Sequence, residues 1–151
     1  MQQLELLEQF KSSIDEVWDI VGVLDRVDWV PGIDAAEMKG DERHMTMGGE
    51  QSLIEKIFVH DPAKREIEYG VIQSGVGITH HRAHLRLEET PTGCTLHWTL
   101  EIEPDGFKDI VGNMMKESVD GIRSLLNEGN SASIDTRGAV SYTHLTLPTK
   151  A

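Results

Sequence analysis

The feature that most constrains the fold is a change of hydrophobic period in the middle of the chain. From Ala35 to Glu103 apolar residues tend to recur at every second position, which is typical of half-buried strands. Short segments rich in Gly, Pro and Asp interrupt this pattern, so consecutive strands should pair as an antiparallel meander. The pattern predicts six strands, at 35–39, 44–47, 51–60, 66–74, 78–88 and 94–103.

Helical signals flank this block of strands. Ser13 and Glu16 occupy capping-box positions ahead of an apolar run, which predicts a short helix. The alternating segment 4–10 favours a first strand, although the same run also suits a helix. Segment 107–128 carries apolar residues along one side and is followed by Gly129, a residue typical of helix C-caps. This order predicts an α+β fold: a curved antiparallel sheet of about seven strands around a long C-terminal helix, with one or two short helices after the first strand.

The end of the chain does not follow this pattern. Segment 131–138 is small and polar, and 140–149 has no element to pack against and resembles a translated sequencing adapter. We therefore expect one domain over 1–130, and we interpret 131–151 as either such an artefact or a disordered tail.

Composition argues against several classes of function. The chain has 14 Lys and Arg residues against 26 Asp and Glu residues, a formal net charge of −12, whereas nucleic-acid binding requires clustered positive charge. No apolar run approaches the roughly 20 residues of a membrane span, and we expect no secretory signal. The single cysteine, Cys94, fits a reducing compartment, so we expect a cytoplasmic protein that binds no nucleic acid.

Several motifs are distributed over this order of elements: Ile14-Asp15-Glu16-Val17-Trp18, Asp28-Trp29-Val30-Pro31-Gly32, Glu55 ahead of Asp61-Pro62, Tyr69 in mid-strand and Trp98 in the last strand. Together they resemble the helix-grip (SRPBCC) superfamily of START-like, Bet v 1-like and polyketide-cyclase/dehydrase proteins, over 1–129. The resemblance implies a cavity between the sheet and the C-terminal helix that holds a small hydrophobic molecule. It implies no particular reaction, because this fold hosts carriers, receptors and cyclases alike.

Strand alternation assigns residues of the last hairpin to the cavity side. The apolar set, which includes Trp98, must point inward, and the same parity turns Ala83 and His81 inward. A regular hairpin also places Arg82 opposite Glu101 on the outer face, as a surface pair without a catalytic role.

Glu55 is the candidate acid of the cavity. In segment 53–59 the frame that contains Glu55 is as apolar as the alternative frame of Ile54 and Phe58, and the resemblance favours Glu55 as the inward residue. Desolvation in an apolar pocket shifts the proton equilibria of a carboxylate and of an imidazole such as that of His81. The two groups could then act as a catalytic acid–base pair, or they could anchor the polar end of a ligand.

Other residues are candidates for the cavity lining. The hydroxyl of Tyr69 needs a partner if it is buried, and Trp29 either rims the entrance or covers the end of the barrel. Methionine adapts to irregular shapes, which suits a cavity wall in the middle of the long helix. The resemblance implies that the start of that helix also lines the pocket. The candidate ligand-binding set is Trp29, Glu55, Tyr69, His81, Ala83, Trp98, Phe107, Val111, Met114 and Met115.

The histidines at 80, 81 and 84 do not suggest a metal site. Neighbouring strand residues point to opposite faces, and His80 and His84 lie roughly 13 Å apart along the strand. Two ligands of one zinc ion each lie about 2 Å from it. We therefore expect no metal and no cofactor.

Three functions stay open. The first is a binding module that carries, sequesters or senses a lipid, polyketide or aromatic metabolite. The second is a cyclase or dehydratase in which Glu55 and His81 are catalytic and move protons at a carbonyl or a leaving hydroxyl. The third is a module that docks a protein partner on its acidic exterior.

Overall fold

The computed structural model describes residues 1–128, and these form one antiparallel sheet of seven strands in the spatial order β1-β7-β6-β5-β4-β3-β2. The sheet is curved, and a long helix follows its last strand, so the expected α+β helix-grip fold is confirmed. Gly129 and the expected tail at 131–151 lie outside the described residues. The elements are β1 (Gln2–Phe10), α1 (Ile14–Val21), β2 (Ala35–Lys39), β3 (Glu42–Met47), β4 (Glu50–Asp61), β5 (Glu66–Ser74), β6 (His80–Thr90), β7 (Gly93–Glu103), a 3-10 turn (Asp105–Phe107) and α2 (Lys108–Leu126).

Helix α1 begins at the predicted capping box. Ser13 Oγ accepts from the Glu16 N–H at 3.2 Å, and Glu16 Oε1 accepts from the Ser13 N–H at 2.9 Å. The helix ends at Gly22, where a Cβ atom would lie 2.3 Å from the indole of Trp18. Within residues 1–128, α1 is the single α-helix between β1 and β2, rather than one of two.

The β6–β7 hairpin has the predicted register, with Arg82 opposite Glu101. The side chains of these two residues nevertheless form ion pairs with other residues. Arg82 pairs with Glu68 of β5 at 2.6 Å, and Glu101 pairs with His80 at 2.9 Å. The register thus follows from alternation, but the partner of Arg82 comes from β5, a strand that the hairpin pattern does not include, and Glu101 pairs diagonally with His80 within the hairpin.

Helix α2 differs from its predicted form at both ends. A 3-10 turn precedes it, and it ends at Leu126 because Asn127 adopts a left-handed conformation (φ 56°). The Glu128 N–H then bonds the Arg123 carbonyl at 3.0 Å, which satisfies the helix end before Gly129 is reached. The buried stripe is also narrower than predicted, with Ile110 being 64% exposed. The stripe consists of Val111, Gly112, Met115, Ser118, Val119 and Ile122.

An ion-pair network attaches the end of α2 to β1. Glu8 lies on the inner face of β1 and is only 2% exposed, and its Oε1 accepts from Arg123 Nη2 at 2.7 Å. Arg123 Nη1 also donates to Glu128 Oε1 at 2.8 Å, and Glu128 Oε2 accepts from Ser12 Oγ at 2.8 Å. This network holds the C-terminal end of α2 against the edge of the sheet.

Candidate ligand-binding site

Two oppositely charged side chains are buried on the inner face of the sheet. Arg43 of β3 lies directly opposite Glu55 of β4, and their side chains are only 11% and 8% exposed. Arg43 Nε and Nη2 donate to Glu55 Oε1 at 3.0 and 2.5 Å, and Nη1 donates to the Leu24 carbonyl at 3.0 Å. The guanidinium therefore balances the carboxylate within the fold.

Aromatic rings extend from this ion pair into the core. The Arg43 guanidinium lies 5.3 Å from the ring centroid of Tyr69, and Trp98 Nε1 donates to Tyr69 Oη at 3.2 Å. The ring of Trp29 lies 6.0 Å from that of Trp98. Burial, and to a smaller extent the charge of Glu55, raises the pKa of the Tyr69 hydroxyl, so the phenol keeps its proton.

His81 occupies a place where two strands separate. The pairing of β5 with β6 ends at Tyr69 and Ala83, and beyond it the Val71 N–H donates to His81 Nδ1 at 3.2 Å. Desolvation lowers the pKa of His81, and the charge of Glu55 opposes this effect without cancelling it. The imidazole is therefore neutral at pH 7, and the hydrogen bond to Nδ1 assigns its proton to Nε2.

The structure brings most of the candidate ligand-binding residues into one core. His81 is partly buried beside Tyr69, with ring centroids 5.9 Å apart. Trp29 is covered rather than exposed at a rim, and its Nε1 donates to the Arg26 carbonyl at 3.1 Å. The buried members are Trp29, Glu55, Tyr69, Ala83, Trp98, Val111 and Met115. Phe107 packs partly buried against this core, whereas Met114 is 37% exposed at the edge of the α2 stripe.

Sequence reasoning missed Arg43, the partner of Glu55. The predicted third strand began at residue 44, so the parity of that strand was not extended to Arg43. Met45, two residues further on, is 5% exposed and shares the inner face with Arg43. The sequence did contain a signal for Arg43: it is a basic residue two positions before the apolar Met45, on the same face of the strand, and it lies opposite the inward acid Glu55.

Four other histidines pair with glutamates instead of converging on a common point. The pairs are His44–Glu42, His80–Glu101, His84–Glu66 and His97–Glu88, with nitrogen–oxygen distances from 2.5 to 3.0 Å. Among residues 1–128, no group of three or more His, Cys, Asp or Glu side chains is placed to hold a metal ion.

A hollow of about 350 Å³ lies on the outer face of the sheet, across β1, β7, β6 and β5. The Arg82–Glu68 ion pair is part of its lining. Seven of the ten residues that line this hollow are charged or polar. The residues that line it are Gln3, Leu4, Glu5, Glu68, Arg82, Ala83, His84, Thr99, Leu100 and Glu101.

A comparison with known families identifies the family to which the chain is related. Residues 1–127 match the family described as polyketide cyclase / dehydrase and lipid transport. The chain belongs to this family. This match confirms the resemblance seen in the sequence. The family and the fold together support a ligand-binding or cyclase-like protein. No curated protein is significantly similar to the chain.

Solved structures show the same fold at low sequence identity. The protein XoxI from Bacillus cereus is 16% identical, with a TM-score of 0.74, over 83% of this chain and 95% of its own. Ara h 8.0201 is 14% identical, with a TM-score of 0.67, over 84% and 98%. A START superfamily protein from Mycobacterium smegmatis is 15% identical, with a TM-score of 0.60, over 89% and 100%. Neither helix within residues 1–128 is long and apolar enough to span a membrane.

Proposed function

We propose that this protein binds a small hydrophobic molecule, such as a lipid, polyketide or aromatic metabolite, between the inner face of the sheet and α2. The observation that carries the proposal is the cluster of Arg43, Glu55, Tyr69 and His81 within an otherwise apolar core, which we name the inner polar cluster. Ligand sites commonly combine an apolar lining with a few well-placed polar groups.

The inner polar cluster is costly if its role is only structural. Desolvation offsets most of the attraction within a buried ion pair, and apolar residues of similar volume are often as stable or more so. The Arg43–Glu55 pair is nevertheless buried on the inner face, with the Arg43 guanidinium 5.3 Å from the ring centroid of Tyr69. Recognition of the polar end of a ligand gives such a pair a function.

The apolar body of the ligand would then contact both sides of the core. Ala83 and Trp98 belong to the sheet side, and Val111 and Met115 belong to the α2 side. The proposed lining is completed by Trp29, Phe107 and Met114. The proposal places the protein in the cytoplasm, where a free thiol such as Cys94 stays reduced.

A cyclase or dehydratase is the second candidate, and one observation favours it. The neutral imidazole of His81 carries its proton on Nε2, and this N–H could donate to a substrate carbonyl and polarise it. Glu55 is less suited to a catalytic role, because its Oε1 already accepts two hydrogen bonds from Arg43. We therefore rank ligand anchoring first. If the second candidate is correct, Glu55→Gln and His81→Ala abolish turnover of a hydroxy-ketone substrate under conditions in which circular dichroism shows both variants folded, and unchanged rates eliminate it.

Binding of the neutral fluorophore N-phenyl-1-naphthylamine to the full chain tests the first candidate. We expect a saturable rise in fluorescence with one site per chain. Val111→Phe adds volume on the inner side and should weaken binding by about tenfold, since overpacking a site costs roughly 1–3 kcal/mol. The control Thr99→Phe adds the same ring to the outer hollow and should leave binding unchanged. Absence of saturable binding, or sensitivity to Thr99→Phe alone, contradicts the proposal; circular dichroism verifies that both variants fold.

A further inference from the structure

We propose that the inner polar cluster selects ligands whose buried end carries an uncharged hydroxyl or carbonyl group, and that it rejects charged carboxylate, phosphate and ammonium groups. This inference rests on the proposed function, because it specifies the chemistry of the same site. It follows from the charge balance of the cluster and from the hydrogen-bonding groups that the cluster leaves unused.

The charge balance is complete without a ligand. The Arg43 guanidinium is neutralised by Glu55, with two of its N–H groups on the same carboxylate oxygen. His81 and Tyr69, the other two members, are uncharged at pH 7. A ligand carboxylate or ammonium would therefore enter as a third, unpaired charge in a desolvated site, which is strongly unfavourable.

The unused hydrogen-bonding groups fit a neutral polar end. Tyr69 Oη accepts the Trp98 N–H and donates to none of the described side chains, so its proton can be donated to a ligand oxygen. His81 Nδ1 is occupied by the Val71 N–H, which leaves the proton on Nε2 as a second donor. Both Arg43 bonds fall on Glu55 Oε1, so Oε2 can accept from a ligand hydroxyl. Two donors and one acceptor match an alcohol, a phenol or an enolisable ketone.

A pair of ligands that differ only in charge tests this selectivity. 1-Dodecanol and dodecanoate have chains of the same length, and at pH 8 the acid is fully ionised. Each is used to displace N-phenyl-1-naphthylamine from the full chain. We expect dodecanol to displace the fluorophore at a concentration at least about tenfold lower than dodecanoate, as a difference of one net hydrogen bond or more would give. Equal or tighter binding of dodecanoate overturns the inference.

Failure of the inference differs from failure of the proposed function. If the fluorophore binds and dodecanoate competes as well as dodecanol, only the selectivity is wrong. If neither the fluorophore nor dodecanol binds, the proposed function fails, and this inference fails with it.

A charge-changing variant makes the test sharper. Glu55→Gln removes the charge that balances Arg43, so the site should then prefer dodecanoate, and the ratio of the two affinities should invert. Glu68→Gln is the matched control, because it frees Arg82 of its carboxylate partner on the outer face, and it should leave the ratio unchanged. An unchanged ratio in Glu55→Gln overturns the inference.

Tyr69→Phe provides a second route if Glu55→Gln does not fold. It removes one donor while it keeps the ring, so the affinity for dodecanol relative to the fluorophore should fall by about threefold to tenfold. An unchanged relative affinity in this variant also overturns the inference.

Discussion

Replacement of Arg43 by methionine should destabilise the fold strongly. The change removes two hydrogen bonds to Glu55 and one to the Leu24 carbonyl, and it leaves a carboxylate that is 8% exposed without a partner. Loss of one member of a buried pair costs about 3–5 kcal/mol, mainly because the remaining charge stays desolvated. Urea unfolding of a small domain has a slope of about 1–3 kcal/mol per molar. We therefore expect the urea midpoint to fall by roughly 2 M.

A double substitution separates the charge effect from the packing effect. Arg43→Met combined with Glu55→Met removes both charges, so it should recover most of the loss and can even exceed the wild-type stability by about 1–4 kcal/mol. Arg82→Met on the outer face is the control. Its partner Glu68 is 30% exposed, and such a pair contributes at most about 1 kcal/mol.

The assay is urea unfolding of the full chain, followed by circular dichroism and by tryptophan fluorescence. Coincidence of the two signals justifies a two-state free energy. If Arg43→Met shifts the midpoint no more than Arg82→Met does, the ion pair is hydrated and the burial argument is refuted. If the double variant is less stable than Arg43→Met, packing by Glu55 matters more than its charge.

Three further predictions concern the sheet and its contact with α2. Gly121→Ala should lower the free energy of unfolding. Alanine favours the helix by about 1 kcal/mol relative to glycine, but its Cβ would lie 2.5 Å from the Trp29 carbonyl oxygen, and this clash should cost more than the helix propensity contributes. A higher urea midpoint for the variant contradicts this. Desolvation holds the pKa of His81 in the folded protein below its ordinary value of about 6.5. The unfolded state therefore binds more protons below about pH 6.5, and stability falls as the pH falls through that range. His81→Asn can still accept from the Val71 N–H and should flatten this part of the urea-midpoint profile, whereas an identical profile counts against the assignment. Burial and Glu128 raise the pKa of Cys94 to about 11, so its reaction with a disulfide reagent at pH 8 should be on the order of 100-fold slower than in urea; equal rates would show that the thiol is accessible.

Alternation was sufficient where a strand has a strong apolar frame. Trp98 and Ala83 lie in the β6–β7 hairpin, where nearly every second residue is apolar, so one register satisfies both strands. The frame of Glu55 was ambiguous, and β4 is buried in both frames at this point, because Ile54 and its neighbour Glu55 are both buried. The register against β5 also shifts here, where β5 carries the extra residue Ile72.

The rest of the site depends on contacts between distant segments. The hydrogen bond from Val71 to His81 exists because β5 and β6 stop pairing after Tyr69, which no local pattern indicates. Arg43 joins the site through its register with Glu55, and the bond to Leu24 comes from the loop after α1. The two-residue period of a strand predicts which face of the sheet each residue occupies, but it does not specify which polar side chains contact one another on that face.

The most direct test of the account is a dodecanol titration of the 15N-labelled full chain, followed through the indole N–H resonances of the three tryptophans. Trp98 donates to Tyr69 of the inner polar cluster, and the ring of Trp29 lies tilted against that of Trp98, whereas Trp18 stacks on His60. We predict saturable shifts of the Trp98 and Trp29 indoles with a much smaller change at Trp18. Unchanged tryptophan resonances, with shifts confined to the amides around Thr99 in the outer hollow, would contradict a ligand site between the sheet and α2.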